Sequence, residues 1–277
     1  MVGRRLSHQL KQGRLRWIGR PLYEGLIDLQ LARIAWKERG LRFENTPLVT
    51  GKLTAVVKTF ERPETVKRLL DSLFRLYPGM RVIVVDDSRV PVTDPRVRMI
   101  RLPYDSGVSL GRQRALEAVE TPYVLLLDDD FVFYRETVLE PALALMERER
   151  RIDIMGGEVV NLPSMRVNDY RGAGLYPTEA VSLIPPGSRI AGLEVYDKVP
   201  NFYIARTASL RMVGWDPRIK RLDHADFFTR AKGVLVTVLN PGFKVLHAQT
   251  PFREGYMQKR RDTRADQLIL RHKYYRR

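Results

Sequence analysis

The 277-residue sequence contains no cysteine, which excludes a disulfide scaffold, a thiolate metal site and a cysteine nucleophile. No apolar run reaches the roughly 18 residues that cross a bilayer. The basic N-terminus lacks the apolar core of a signal peptide. These absences predict a globular protein of the cytoplasm, with peripheral attachment to the inner membrane surface as an open alternative.

Acidic residues are in the minority: 32 Asp and Glu stand against 48 Lys and Arg, a formal net charge of +16. The excess lies at the ends, with +6 in residues 1–45, +6 in residues 253–277 and +4 in residues 46–252. A nucleic-acid-binding domain would spread its cationic residues over the folded surface, so nucleic acid is an unlikely partner. The charge distribution predicts three units: a basic helical extension (1–45), a globular domain (46–252) and a basic tail (253–277).

Residues 22–38 have helical periodicity, with Pro21 suited to the first helical turn. The apolar stripe of this helix contains Leu22, Leu26, Leu29 and Trp36 and is widened by Ile27, Leu31 and Ile34. The stripe predicts either a helix packed on the core or adsorption to an anionic membrane surface, where each Lys or Arg adds about 1 kcal/mol. The same two interpretations apply to the tail, in which Tyr274 and Tyr275 could anchor the chain at the interface.

Short apolar segments alternate with amphipathic ones through the first half of the globular region. Strands are predicted at 52–59, 81–86, 97–102 and 123–128, and helices at 63–76, 107–119 and 137–150. This alternation predicts an α/β fold with a mainly parallel sheet covered by helices on both faces. Residues 161–192, rich in glycine and proline, predict a long binding loop or lid. Two further strand-like segments follow at 234–239 and 244–247.

Three aspartates, Asp128, Asp129 and Asp130, directly follow the apolar strand YVLLL. Alternate side chains of an extended chain share a face, so Asp128 and Asp130 point together. Adjacent carboxylates at the end of a buried strand repel one another unless a cation neutralises them. Oxygen ligands favour Mg²⁺ or Mn²⁺, which often complete their coordination with substrate phosphates. The triplet therefore predicts a metal site, although a solvated acidic turn is the alternative.

A second polar cluster, Asp86-Asp87-Ser88, ends the strand RVIVV, and Thr59 and Phe60 end the first strand. Ligands of such sheets bind outside the carboxyl ends of the strands. A carboxylate there can accept hydrogen bonds from a base or ribose, and Phe60 offers a face for stacking a pyrimidine. The loop 106–112 opens a helix and offers Arg112 or Arg114 as a nucleotide contact.

The motifs occur in the order KTFERP, VDDS, SGVSLGRQRA, LDDDFVF, NFYIART, VGWDPR, HADFF and VLHA. This order resembles the GT-A glycosyltransferases, most closely the β-1,4-N-acetylgalactosaminyltransferase group that includes ganglioside (GM2/GD2) synthase. The resemblance spans about residues 52–250. It implies a Rossmann-like GT-A fold and inverting sugar transfer from a UDP-linked donor, with GalNAc or a related hexose moved to a glycan or glycolipid. The animal members have a membrane anchor and lumenal cysteines, and this sequence shows neither feature. The sequence is therefore expected to be a bacterial-type relative.

The resemblance also implies roles for individual residues. The expected metal ligands for Mn²⁺ or Mg²⁺ are Asp130, as the last acid of a DxD motif, and His247 of VLHA. The residues expected to bind the nucleotide-sugar are Thr59, Phe60, Arg62, Asp87, Arg112, Asp128 and Asp129.

An inverting transferase needs one base to take the proton of the acceptor hydroxyl. The motif HADFF provides Asp226 as the preferred candidate, because it stands beside two aromatic residues at a predicted helix start, where the helix dipole favours negative charge. Asp223 is the second candidate, and the common GT-A signature would instead favour the position of His224. The residues expected to contact the acceptor are Trp215, His224 and Phe227.

Two other functions are open on sequence grounds. A nucleotidyltransferase uses a similar sheet and metal but usually has a glycine-rich basic loop after the first strand, and KTFERP lacks that loop. A non-catalytic membrane or nucleic-acid adaptor would explain the basic ends. It would have no use for three clustered carboxylates.

Overall fold

The computed structural model describes residues 16–43 and 46–275. Within these residues the chain forms a mixed sheet surrounded by helices. The helices are α1 (Arg16–Lys37), α2 (Pro47–Lys52), α3 (Pro63–Leu76), α4 (Val108–Glu117), α5 (Glu140–Arg148), α6 (Thr207–Val213), α7 (Asp223–Ala231), α8 (Glu254–Arg261) and α9 (Arg264–Tyr275). The longer strands are β1 (Leu53–Thr59), β2 (Arg81–Asp86), β3 (Arg98–Arg101), β4 (Tyr123–Asp128), β6 (Ile154–Asn161), β10 (Tyr203–Arg206) and β11 (Thr237–His247). The short ones are β5 (Phe131–Val132), β7 (Arg166–Val167), β8 (Arg189–Ile190) and β9 (Leu193–Val195).

The strand order is β3-β2-β1-β4-β10-β6-β11-β9-β8. Strands β3, β2, β1 and β4 are parallel, β10 is antiparallel to both of its neighbours, and β6 and β11 run parallel to each other. The carboxyl ends of β1, β2, β4, β6 and β11 therefore meet along one edge of the sheet. This architecture confirms the predicted α/β fold and places the polar motifs of several strands side by side.

The sheet is buried on both faces, as the near-continuous apolar strands predict. One face packs on α3 and α5 through a core that includes Leu69, Leu73 and Leu143. The other packs on α4, α6 and α7 through residues that include Leu116, Leu210 and Phe228.

Two sequence expectations about local structure are wrong. Helix α1 begins at Arg16, so Pro21 lies inside the helix rather than in its first turn. The two strand-like segments at 234–239 and 244–247 form one strand, β11, with an irregularity between Leu239 and Lys244. Asn240, Pro241 and Gly242 interrupt the pairing there, because proline cannot donate to a ladder.

The two basic ends pack differently on the globular part. Residues 1–15, the first third of the predicted N-terminal extension, lie outside the described residues. Helix α1 places Ile27, Tyr23, Leu31 and Ile34 against a cluster formed by the ends of β5, β6 and β11. The other members of the predicted stripe, Leu22, Leu26, Leu29 and Trp36, are exposed. The helix therefore packs on the core, as one of the two sequence interpretations expected, but only through the residues that widen the stripe.

The tail packs on the loop that precedes α7. The buried carboxylate of Asp266 accepts hydrogen bonds from the backbone N–H groups of Lys220, Arg221 and Leu222, at 3.0, 2.6 and 3.0 Å. Tyr274 stacks on Tyr176, with ring centroids 4.8 Å apart. None of the helices in 16–43 and 46–275 is long and apolar enough to span a membrane.

We expect Gly157→Ala to destabilise the protein. A Cβ at Gly157 would lie 2.5 Å from the Phe202 ring and 2.7 Å from the carbonyl oxygen of Phe243, both buried. Overpacking of this kind costs about 1–3 kcal/mol. The matched control is Gly51→Ala in α2, where a Cβ meets nothing within 4 Å and a helical alanine is favourable. Denaturant unfolding compares the two variants, and equal stability would contradict the packing argument.

Candidate functional site

A cavity of about 190 Å³ opens at the edge where the carboxyl ends of the strands meet. All seven residues predicted to bind the donor line it, together with the two predicted metal ligands and one candidate base: Thr59, Phe60, Arg62, Asp87, Arg112, Asp128, Asp129, Asp130, His247 and Asp223. The parallel register explains this convergence, since Thr59 is paired with Asp86 and Lys58 with Asp128. The structure therefore brings these strand ends together at one cavity.

Two arginines bind the three aspartates of the acidic triplet. Arg62, in the turn after β1, binds Asp129 and also donates to Asp130 at 2.9 Å. Thr59 donates its hydroxyl to the Asp129 carboxylate at 2.7 Å. Arg112 of α4 instead donates to Asp128 at 2.6 Å and to Asp223 at 2.5 Å. The buried negative charges therefore have specific cationic partners, as groups removed from water require.

These pairs change the ionisation of the triplet. Burial raises the pKa of Asp129, and the neighbouring Asp130 raises it further against the effect of Arg62. Burial also acts on Asp130, but Arg62 and His247 outweigh it and lower the pKa of that carboxyl. Asp130 is therefore the member of the pair that holds negative charge most firmly.

Asp130 and His247, the two predicted metal ligands, lie side by side. Asp130 Oδ1 lies 3.2 Å from Nε2 of His247, and Nδ1 of the same ring lies 3.0 Å from Oδ1 of Asn161 and 3.2 Å from Nε2 of Gln249. The Asn161 amide donates to the Arg166 carbonyl at 3.1 Å, which turns its oxygen toward the ring. Burial lowers the pKa of His247, but the Asp130 carboxylate outweighs it and raises that pKa above its usual value. A ring protonated at Nδ1 toward Asn161 would leave Nε2 free to bind an ion together with Asp130, since ligating histidines commonly donate their other N–H.

This donor set fits a divalent ion that shares its coordination with a ligand. No three His, Asp or Glu side chains within 16–43 and 46–275 gather closely enough to hold an ion by themselves. Mg²⁺ is commonly held by one or two carboxylates together with substrate phosphates and water. Asp130 and His247 could provide the protein share of such a site.

Another part of the cavity lining contains Lys58, Phe60 and Asp87, and the Tyr104 ring, which is not in the lining, lies beside Phe60. The Phe60 and Tyr104 rings lie 5.5 Å apart. Asp87, at the end of β2, binds Lys58 and accepts the backbone N–H of Gly107 at 2.9 Å. Burial lowers the pKa of the Lys58 ammonium, and Asp87 opposes that effect. Flat rings beside a fixed carboxylate and ammonium suit a planar base that carries hydrogen-bonding groups.

The cavity also contains functional candidates that the sequence analysis missed. Lys220 and Arg221 come from the loop before α7, and Tyr256, Lys259 and Arg260 come from α8. The Arg62 guanidinium stacks on the Tyr256 ring at 4.0 Å. Asp105 faces three of the cations, with Arg221 at 2.5 Å, Lys220 at 3.7 Å and Lys259 at 3.9 Å. The rim therefore has a surplus of positive charge, which the basic composition of the tail could have indicated.

The two candidates for the base lie in different surroundings. Asp223, at the start of α7, lines the cavity, and burial raises its pKa despite Arg112. Asp226, one turn later, is buried outside the cavity lining and accepts hydrogen bonds from Arg230, Lys273 and Tyr274 at 2.9, 2.7 and 2.7 Å. The structure thus places Asp223, the second candidate, in the cavity lining. Asp226, the preferred candidate, instead holds the tail through its hydrogen bonds.

The three residues expected to contact the acceptor are not part of the cavity lining. Trp215 and Phe227 are buried and stack on each other with ring centroids 5.0 Å apart. They belong to the core that α7 forms with the sheet. His224 directs Nε2 at the Val199 carbonyl at 2.8 Å and contacts Tyr170 and Phe228 edge-on. A sequence cannot distinguish these packing aromatics from a binding platform, because both need large apolar side chains.

We expect His224 to make the stability of the protein depend on pH. Burial lowers the His224 pKa to about 3, below the value of about 6.5 in an unfolded chain. Between these values the unfolded state binds the extra proton, so this contribution to stability is complete above pH 6.5 and declines toward pH 3. The slope approaches at most about 1.4 kcal/mol per pH unit. Denaturant unfolding at pH 7 and 5 should show a smaller loss for His224→Asn than for the wild type. An equal loss would contradict the assignment.

Comparison with known proteins identifies the family. Residues 54–171 match the model of glycosyl transferase family 2. The chain is 36% identical over 214 residues to β-1,4 N-acetylgalactosaminyltransferase 2 of Mus musculus, an alignment covering 73% of this chain and 41% of the relative. It is 34% identical over 206 residues to β-1,4 N-acetylgalactosaminyltransferase 1 of Rattus norvegicus, with 68% and 37% covered. The chain thus spans about two fifths of the length of these relatives.

The fold also matches solved structures. The crystal structure of S. aureus TarS 1-349 superposes with a TM-score of 0.53 at 21% identity, covering 71% of this chain and 60% of the other. The same protein in complex with UDP gives a TM-score of 0.53, covering 75% and 63%. The sequence-based resemblance is therefore confirmed: the chain contains a glycosyl transferase family 2 domain with the GT-A fold, related to the β-1,4-N-acetylgalactosaminyltransferases.

Proposed function

We propose that this protein is a metal-dependent inverting glycosyltransferase that moves a sugar from a UDP-linked donor to a hydroxyl of a glycan or glycolipid. The observation that carries the proposal is the position of the acidic triplet in a cavity between aromatic rings and a cationic rim. The names of the relatives, which are β-1,4 N-acetylgalactosaminyltransferases, support GalNAc or a related hexose as the sugar. A UDP complex and a UDP-GlcNAc complex of TarS, which shares the fold, support a UDP-linked donor.

The donor would lie along the cavity with its base at one end and its sugar at the other. Phe60, Tyr104 and Asp87 are placed to receive the uracil. Lys220, Arg221, Lys259 and Arg260 would face the diphosphate, whose negative charge matches the surplus on the rim. A divalent ion held by Asp130 and His247 would stabilise the charge that develops on the leaving diphosphate.

Two buried polar groups beside Asp128 and Asp223, Arg112 Nε and the Tyr203 hydroxyl, have no hydrogen-bond partner within the described residues. Arg112 lines the cavity, whereas Tyr203 lies outside its lining. Burial raises the pKa of the Tyr203 hydroxyl, and the charges of Asp223 and Asp128 raise it further against that of Arg112. Unpartnered buried polar atoms are costly, and this cost would fall if the donor sugar contacted Arg112 where it lines the cavity.

Asp223, rather than the Asp226 expected from the sequence, is the proposed base. Its carboxylate lines the cavity, and its raised pKa brings it closer to the value at which a base takes a proton efficiently near neutral pH. It would accept the proton of the acceptor hydroxyl as that oxygen attacks the anomeric carbon from the side opposite the diphosphate. A single displacement of this kind inverts the anomer, so an α-linked donor gives a β-linked product.

We expect UDP binding to depend on Mn²⁺. Calorimetry should show that EDTA, or Asp130→Asn in the presence of Mn²⁺, weakens binding at least about tenfold, since loss of even an indirect supporting residue costs 10- to 100-fold in metal affinity. Asp169→Asn, an exposed loop position outside the cavity lining, is the matched control and should bind as the wild type. Equal affinity in all four conditions would remove the metal from the proposal.

The assignment of the base is tested by comparing Asp223→Asn with Asp226→Asn. Asparagine keeps the shape of the side chain but cannot take the proton, so Asp223→Asn should lower transfer by about 10²- to 10⁴-fold while UDP still binds. Asp226→Asn should retain most of the turnover and lose about 1–3 kcal/mol of stability, because it weakens a buried hydrogen-bonded cluster. Full turnover in Asp223→Asn with loss in Asp226→Asn would return the role to Asp226. An α-linked product would rule out a single displacement.

A further inference from the structure

Helix α1 has two apolar faces, and only one of them packs on the protein. The inner face, with Tyr23, Ile27, Leu31 and Ile34, contacts the ends of β5, β6 and β11. Gln30 reinforces this contact by donating to the Pro163 carbonyl at 2.9 Å. The orientation of the helix on the domain is therefore fixed, and the opposite face is held toward solvent.

The outer face is apolar along its length. Leu22, Leu26, Leu29 and Trp36 are 61%, 44%, 68% and 66% exposed. Their spacing of four, three and seven residues puts them on one side of the helix. Exposed large apolar side chains that occur singly need no explanation, whereas a contiguous row of them marks an interaction surface.

The positively charged residues on this face indicate what kind of partner binds to it. Arg33 lies four residues after Leu29 and is on the same side, Lys37 follows one turn later, and the Arg39 guanidinium lies 5.2 Å from the Trp36 ring centroid. The acidic residues Glu24 and Asp28 lie toward the sides of the helix, and Glu24 is paired with Arg20. Helices that lie in the interface of an anionic membrane have this composition, in which leucine and tryptophan stand beside arginine and lysine.

A second copy of the chain fits this face less well than a lipid surface. A two-fold symmetric contact is self-complementary, so it would place the row of cations of one copy against the same row of the other. The face is also a ridge one helix wide and not a groove that could enclose a partner helix. Acyl chains and anionic headgroups satisfy the apolar and the cationic residues together.

We propose that the outer face of α1, formed by Leu22, Leu26, Leu29, Arg33 and Trp36, is a docking surface for an anionic lipid bilayer. Because α1 packs on the end of β11, which carries His247, docking would hold the cavity edge of the sheet close to the membrane. The proposal does not depend on the proposed function, since it rests on α1 alone. It differs from the sequence interpretation in assigning no anchoring role to Tyr274, whose hydroxyl donates to Asp226.

The test is sedimentation of the 277-residue protein with vesicles of phosphatidylcholine alone or with 30% phosphatidylglycerol. The wild type should bind the anionic vesicles, and 0.5 M NaCl should weaken binding because surface charges are screened. Leu29→Glu and Arg33→Glu should each lower the partition coefficient at least about tenfold, since each adds negative charge next to the lipid. The matched control is Leu268→Glu on α9, where Leu268 is 70% exposed, as against 68% for Leu29; it should bind as the wild type.

Circular dichroism and UDP binding verify that each variant is folded, so loss of vesicle binding in a folded variant supports the proposal. Three results would overturn it: no binding of the wild type, equal binding to the two kinds of vesicle, or an equal loss in Leu29→Glu and Leu268→Glu. Light scattering after gel filtration can give a fourth result that would overturn the proposal. A wild-type dimer that becomes monomeric in Leu29→Glu would make this face an interface between copies of the chain.

Discussion

The ion pairs between Arg62 and the adjacent aspartates Asp129 and Asp130 are the interaction on which the site depends. These carboxylates are buried at the end of β4, where they would repel each other and lose their hydration without a nearby cation. Arg62 can reach them only because β1 and β4 are adjacent and parallel, which brings the turn after β1 beside the end of β4. The strand order of the GT-A fold therefore places Arg62 where it can neutralise the buried carboxylates. These carboxylates in turn give the cavity groups that could bind a cation.

The same arginine connects the site to the tail. Its guanidinium stacks on Tyr256 of α8, and the loop of Lys220 and Arg221 is held by Asp266 of α9. Helix α9 is held in turn by the hydrogen bonds of Lys273 and Tyr274 to Asp226. The tail thus contributes residues to the cavity lining, and the positions of its cations there depend on contacts far along the chain. This places residues 253–277 in functional contact with the domain, although the sequence predicted them as a separate unit.

Much of the fold and of the donor site could be predicted from the sequence. The strands β1, β2 and β4 are short apolar segments that end in Thr59, Asp86 and Asp128, and parallel pairing dictates that such ends meet. The presence of Lys220, Tyr256 and Lys259 in the cavity lining could not be predicted. It depends on how α8 and α9 pack against the globular part, and no local sequence pattern indicates that packing. The choice between Asp223 and Asp226 could not be made from the sequence for a similar reason. Each is an acidic residue in the first turn of one helix, and only packing shows which of them faces the cavity.

The two basic ends have the same excess charge in the sequence, +6 in each, yet the structure gives them different surroundings. In the tail, Lys259 and Arg260 line the cavity and Lys273 binds Asp226, so these charges are directed inward, toward carboxylates and the cavity in which we propose that the donor binds. On α1, Arg33 lies among exposed leucines on the side that faces away from the sheet. Net charge alone therefore does not indicate a partner. What separates a substrate-binding cation from a surface-docking one is whether its neighbours are buried acids or exposed apolar side chains.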